Sequence, residues 1–347
     1  MKKLLLASAV AALSITAAQA APQVYGKAFL TLDVQDGNDN SRSKDSRTQL
    51  NSNASRIGFK GSEALTANTD LVYQLEYRIE IDANDNNGNN RNFESRDTYL
   101  GLANKQYGTL VAGRLTAIDG QVDYVTVAQG GVIGGNGVLT AFDAERANNA
   151  FAYFSPERNG LQFMGMYVLD EDKTQLSSVL VGSDSSAVNR TANDSLGRDA
   201  FGVGAKYEPE NAPYRAGVTY IQAGDLKFTR VSGAYDLNPA TTVGALYQHS
   251  DLDTNDNENA FALSAEHKLV QTPWTAYGQL DFVDNAGGNK DAEIFRTVVG
   301  GKYAFNQATT GHLYGAYQRS EGVNLSNAAT GNKANAYGVG AGIEYKF

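Results

Sequence analysis

From Val24 onward, polar and apolar residues alternate along the chain. The segment VYGKAFLTLDVQ sets Val24, Ala28, Leu30, Leu32 and Val34 on one face and Lys27, Thr31, Asp33 and Gln35 on the other. In LVYQLEYRIEI the sorting is cleaner, with Leu71, Tyr73, Leu75, Tyr77, Ile79 and Ile81 opposite Gln74, Glu76, Arg78 and Glu80. A helix would scatter both sets around its axis, so period two predicts strands. The pattern recurs near 24–35, 55–63, 70–81, 96–106, 108–118, 148–156, 161–170, 199–208, 214–223, 226–237, 241–250, 259–269, 274–284, 294–305, 311–320 and 335–347, about sixteen strands in all. It is least regular at 226–237, where Lys227 and Thr229 share a face with Val231 and Tyr235.

The connections alternate too. Short links such as those at 104–107, 156–160, 237–240 and 305–308 separate long polar ones near 36–54, 82–95, 119–147, 171–198, 251–258, 285–293 and 321–334, with one short exception at 223–225. Strict alternation puts all short turns at one end of a sheet and all long loops at the other, the layout of an outer-membrane barrel with periplasmic turns and extracellular loops. A sheet this wide must close, because open edges recruit other strands and unpaired backbone groups are costly in lipid. The terminal YGVGAGIEYKF carries Tyr337, Val339, Ala341, Ile343, Tyr345 and Phe347 on one face and is predicted to pair with the first strand. Tyr99, Tyr153, Tyr207, Tyr235, Trp274, Tyr303, Tyr317 and Tyr345 are expected to face outward as an interfacial girdle.

Composition narrows the compartment. Lys2 and Lys3, the apolar run from Leu4 to Ile15 and the small-residue site Ala18-Gln19-Ala20 describe a cleaved secretory signal peptide at 1–20. Residues 21–347 are then one barrel domain, since no composition shift or Pro-rich linker divides them. Losing Lys2 and Lys3 takes the formal net charge from −9 to −11, which argues against nucleic acid as a partner. There is no cysteine, and His249, His267 and His312 are far apart, so no disulfide, metal site or cofactor is expected. The acidic segments starting at Asp82 and Asp251 lack the glycine and the twelfth-position Glu of a calcium loop.

The stretch 119–147 is too long for a plain connection. Asp119, Asp123, Asp143 and Glu145 flank a glycine-rich centre, GGVIGGNG at 130–137, that lacks the Lys-Ser/Thr of a phosphate-binding loop. Its apolar residues imply that it packs against a wall. Period two turns Lys27, Arg56, Arg114 and Arg146 away from their apolar neighbours, toward the barrel lumen, with Arg114 opposite Gly113 and Leu115.

Six segments carry a family resemblance: VYGKAFLTLD at 24–33, SRIGFKGSEAL at 55–65, LVYQLEYRIE at 71–80, AGRLTAID at 112–119, NNAFAYFSPERNG at 148–160 and GIEYKF at 342–347. Together they resemble the Gram-negative general diffusion porins. The resemblance implies an all-β, sixteen-stranded antiparallel up-and-down barrel and a homotrimer in outer-membrane lipid and lipopolysaccharide, with its third extracellular loop, here 119–147, folded inward as a constriction. It also implies a basic wall of Lys27, Arg56, Arg96 and Arg146, with Arg114 a fifth candidate, facing the loop acids. The loop tip departs from the Pro-Glu-Phe-Gly-Gly-like turn of many family members.

The function expected is passive diffusion of ions and small hydrophilic solutes through a water-filled channel. A transverse field between basic wall and acidic loop favours polar solutes, and the net −11 predicts a mild cation preference. The alternatives are a channel selective for a sugar or an anion, a barrel enzyme, and an adhesin. The enzyme reading lacks a Ser-His motif and any G-x-S-x-G segment.

Overall fold

A strand at a sheet edge leaves its outward N–H and C=O groups unpaired, and within a bilayer each such group costs several kcal/mol. Among the described residues this chain leaves no such edge. The structure, a computed structural model, describes residues 22–37, 46–82, 93–128, 130, 146–169, 200–254, 256–322 and 333–347. Its strands are β1 (Gln23–Gly37), β2 (Arg47–Ser52), β3 (Arg56–Ala64), β4 (Thr69–Ile79), β5 (Phe93–Asn104), β6 (Gly108–Thr116), β7 (Arg146–Phe154), β8 (Leu161–Val168), β9 (Ala200–Tyr207), β10 (Tyr214–Ala223), β11 (Leu226–Asn238), β12 (Thr241–Asp251), β13 (Glu258–Lys268), β14 (Trp274–Asp284), β15 (Glu293–Ala304), β16 (Thr309–Glu321) and β17 (Lys333–Lys346). Apart from β2 and β3, which both pair with β1, each pairs antiparallel with its sequence neighbours, and β17 returns to β1 with Lys27 opposite Lys346 and Gly37 opposite Ala336. Reciprocal bonds between Gly26 and Phe347, at 2.9 and 3.1 Å, complete the seam.

β2 and β3 pair with successive parts of β1 and form two halves of one stave, so the barrel has sixteen. Pairing thus runs back to Arg47, into a stretch expected to be loop. The break between the halves is satisfied locally. Ala54 adopts φ 50°, Ser55 Oγ accepts from Phe29 N at 3.0 Å, and Ser55 O accepts from Ile79 N at 2.9 Å. The connection expected at 285–293 is likewise compact. It contains a 3-10 turn at Ala286–Gly288, and Glu258 accepts from Gly287 N at 2.7 Å.

Polarity is sorted opposite to that of a water-soluble protein. Leu32 is 54% exposed and Val299 61%, whereas Arg230 is 1% and Arg296 0% exposed. A charge facing lipid costs about 2–4 kcal/mol at mid-depth and nearly nothing at the rim. Lys227, on the outer face of β11, accordingly sits at the rim, 3.6 Å from Asp251, while Leu226, Phe228 and Arg230 turn inward. Rings gather at the outer strand ends, as in Trp274 with Tyr303, Tyr303 with Phe305 and Tyr207 with Tyr214.

Two expectations fail where apolar residues occupy consecutive positions. Tyr99 faces inward, because its neighbours Leu100 and Leu102 take the lipid side. Val111 and Leu115 are also inward, packed with Ile118 and Val122. Arg114 therefore shares the face of Leu110 and Ala112 instead of pointing to the lumen.

The seam sets a steric test. A Cβ on Gly26 would meet the Phe347 ring and lie 2.8 Å from Arg56 O. Gly26→Val should destabilise the barrel by about 1–3 kcal/mol, read as a shift of the urea midpoint for folding into lipid vesicles; an unchanged midpoint contradicts this account of closure.

Candidate functional site

Lys27, Arg56, Arg96 and Arg146 stand on β1, β3, β5 and β7. Alternation turns Lys27 and Arg56 inward. Arg96 arrives by a bulge, since Leu75 pairs with Thr98 but Tyr77 with Ser95, leaving Arg96 and Asp97 opposite Glu76. Glu76 takes Arg96 Nε at 2.5 Å and Arg56 Nε at 3.4 Å. Asp97 takes Arg146 Nε at 3.0 Å and Thr116 Oγ1 at 2.7 Å. Lys27 lies 3.9 Å from Glu344. Arg114 belongs to the rim, where it donates to Ser95 O at 2.9 Å and Asn148 Oδ1 at 2.6 Å.

The segment leaving β6 runs along the opposite inner wall. Ile118–Val122 form a 3-10 turn that packs with Ile221, Leu226 and Phe228. Val125 joins Leu246, Ala260, Val283 and Ile294, and Ala128 joins Tyr277, Val298, Tyr314 and Ala316. Glycines make room for this path: a Cβ on Gly217 would strike Val122, and one on Gly244 would lie 2.6 Å from Tyr124 O.

Polar contacts hold the described part of the segment, among them Tyr124 N donating to Ser232 Oγ at 3.2 Å. Arg230 Nη1 lies 3.1 Å from Asp119 Oδ2, and Arg230 also donates to Gln248 Oε1 at 2.9 and 2.7 Å. Gln279 Oε1 accepts from Val127 N at 3.1 Å and Ala128 N at 3.2 Å. Its amide donates to Asp281 at 2.9 Å, and Asp281 is held by Arg296 at 2.9 and 3.0 Å. Finally, Tyr314, whose ring lies against Gly130, donates to Asp33 Oδ1 at 2.6 Å.

This arrangement corrects the expected pairing. The described part of the segment, 118–128, packs on the inner wall of β8–β16 and not on the staves of Lys27, Arg56, Arg96 and Arg146. Asp119 is engaged by Arg230, and Asp123 Oδ1 accepts from Val125 N and Thr126 N at 3.1 and 3.0 Å. Asp143, Glu145 and the loop tip beyond Gly130 lie outside the described residues. The anchors Arg230, Gln279, Arg296 and Tyr314 were not anticipated. Their signal was a polar or aromatic residue at an inward position, which marks the lumen but does not say what it holds.

A closed antiparallel barrel with an apolar outer surface and a charged interior defines the class: a transmembrane channel wall. Residues 6–347 match the family described as Gram-negative porin. The chain is 34% identical over 184 residues to the major outer membrane protein of Pasteurella multocida (strain Pm70), a match spanning 50% of each chain. It is 26% identical over 329 residues to the major outer membrane protein P.IB of Neisseria gonorrhoeae, covering 89% of this chain and 91% of that one. The solved structure of an anion-selective porin from Comamonas acidovorans superposes with a TM-score of 0.67 at 19% identity, covering 94% of this chain and 99% of that one. The chain belongs to the Gram-negative porin family, multi-pass channels for passive diffusion in the outer membrane.

The Gln279 anchor is testable by electrical recording. Gln279→Leu keeps the side-chain volume but orphans two backbone donors, a loss of roughly 1–3 kcal/mol. Open-channel current noise should rise as the segment leaves the wall, and a trace as quiet as wild type contradicts the anchoring role.

Proposed function

We propose that the stretch 119–147 is the constriction of this channel, and that ions and small hydrophilic solutes pass between it and the wall carrying Lys27, Arg56, Arg96 and Arg146. The observation that carries the reading is the run of buried contacts from Ile118 to Ala128 across inward-facing positions of successive staves. A segment held there takes up lumen area. Its shape then limits solute size.

The same reading includes removal of 1–20 as a leader, a single domain over 21–347, and assembly as a homotrimer in lipid and lipopolysaccharide. Membership of the porin family supports the trimer. The apolar belt and its ring clusters suit a lipid environment. Family membership also favours a diffusion channel over a barrel enzyme or an adhesin.

Planar-bilayer recording tests the proposal. Large conductance steps in groups of three are expected, and a barrel that inserts yet never conducts sinks it. Arg56→Ala removes a positive charge that Glu76 shares between two arginines, so reversal potentials should move toward cation preference. No movement would take Arg56 out of the aperture.

A further inference from the structure

The outer wall carries a furrow over β15, β16 and β17, at the end of the barrel with the long connections. Strand register stacks its outward residues in rows. Val299, Gly315, Val339 and Val34 stand side by side, and Thr297, Tyr317 and Tyr337 form the next row toward the rim. Gly315 makes the floor. A Cβ added there would come no nearer than 3.7 Å to another atom, so packing within the barrel does not require glycine at this position. Two hollows of about 520 and 370 Å³ follow one another along the furrow, with Tyr317 lining both.

The upper hollow ends on charges. Arg319 and Lys333 both pair with Glu321, at 2.7 and 2.8 Å. Glu321 stands opposite Glu293 in the register, and Glu293 opposite Asp284, all at outward positions of their strands. Like charges directly opposite each other in a sheet are destabilising. Among the described residues neither Asp284 nor Glu293 has a cation at ion-pair distance. The rim therefore sets two cations that share one carboxylate beside two carboxylates that have none. Below it the Tyr317 and Tyr337 hydroxyls donate to Asn335 Oδ1 at 2.9 Å and Asp36 Oδ2 at 3.1 Å, the placement of rings at a membrane boundary.

We propose that the furrow seats one zwitterionic phospholipid whose head carries a phosphate and a primary ammonium. The ammonium lies between Asp284 and Glu293 and offsets their repulsion, while the phosphate meets Arg319 and Lys333. One acyl chain runs over Gly315 between Val299 and Val339. Charge-assisted hydrogen bonds are the strong ones, and a primary ammonium has three donors to give, as lysine does. Four residues of β16 separate Arg319 from Gly315, about 14 Å of strand, and one leaflet holds roughly 15 Å of hydrocarbon. A purely anionic head fits worse, because Asp36, Asp284, Glu293 and Glu321 outnumber Arg319 and Lys333. The seat is outside the barrel, so it does not depend on where solutes pass.

The test uses the full-length protein in phosphatidylcholine vesicles that hold a minor share of phosphatidylethanolamine, phosphatidylglycerol or lipopolysaccharide. The protein is then extracted into mild detergent, and intact-protein mass spectrometry counts the lipid it keeps. Wild type should keep one phosphatidylethanolamine per barrel. Gly315→Leu fills the floor and should lose it, whereas Gly165→Leu, at an outward glycine of β8 with equal room, should keep it. Glu293→Gln and Arg319→Gln should each lower the retained fraction about threefold. Retention of phosphatidylcholine, phosphatidylglycerol or lipopolysaccharide in place of phosphatidylethanolamine overturns the head assignment. No retained lipid, or equal retention by Gly315→Leu, overturns the seat. Lipid-free oligomers that Gly315→Leu splits into monomers would also overturn it, by giving the furrow to a second copy of the chain.

Discussion

The structure depends on one constraint: inside a bilayer, backbone hydrogen bonds must be made within the protein. For a chain of alternating polarity the solution is a sheet whose last strand meets its first, and here the contact between Gly26 and Phe347 completes it. Closure makes two surfaces from one alternation. Apolar residues go to lipid, and the polar set is concentrated on the inside of a ring, where charges such as Arg296 are fully enclosed.

That concentration is then divided between two tasks. On β11, β14 and β15, Arg230, Gln279, Asp281 and Arg296 form matched pairs that end on Asp119 or on loop backbone. On the staves from β17 to β5, Glu344 and Glu76 are each shared between two cations. One half of the interior holds the inserted segment in place, and the other half faces the space that remains.

The fold was legible because period two and the alternation of short and long connections both survive in a single sequence. Where they blurred, the reading failed for the same physical reason each time. In Tyr99-Leu100-Gly101-Leu102 and in Leu110-Val111-Ala112, neighbouring residues are both able to face lipid, and the inserted segment decides which turn inward. Arg96 and Asp97 share a face only because of a bulge, which leaves no mark in composition. The inward facing of Lys27 and Arg56 was legible from alternation, whereas Arg114 turns the other way. The loop's partners were not legible. Arg230 and Gln279 lie more than a hundred residues from the backbone they hold, and the furrow on the outer wall exists only through strand register.

The sorting of the two faces is the claim on which the rest stands, and the absence of native cysteine makes it directly measurable. Single cysteines placed at Arg56, Ile57, Phe59 and Lys60 can be exposed to a water-soluble maleimide in protein reconstituted into vesicles. The account predicts labelling at Arg56 and Lys60 and protection at Ile57 and Phe59. Labelling at all four, or at Ile57 and Phe59 alone, would contradict it.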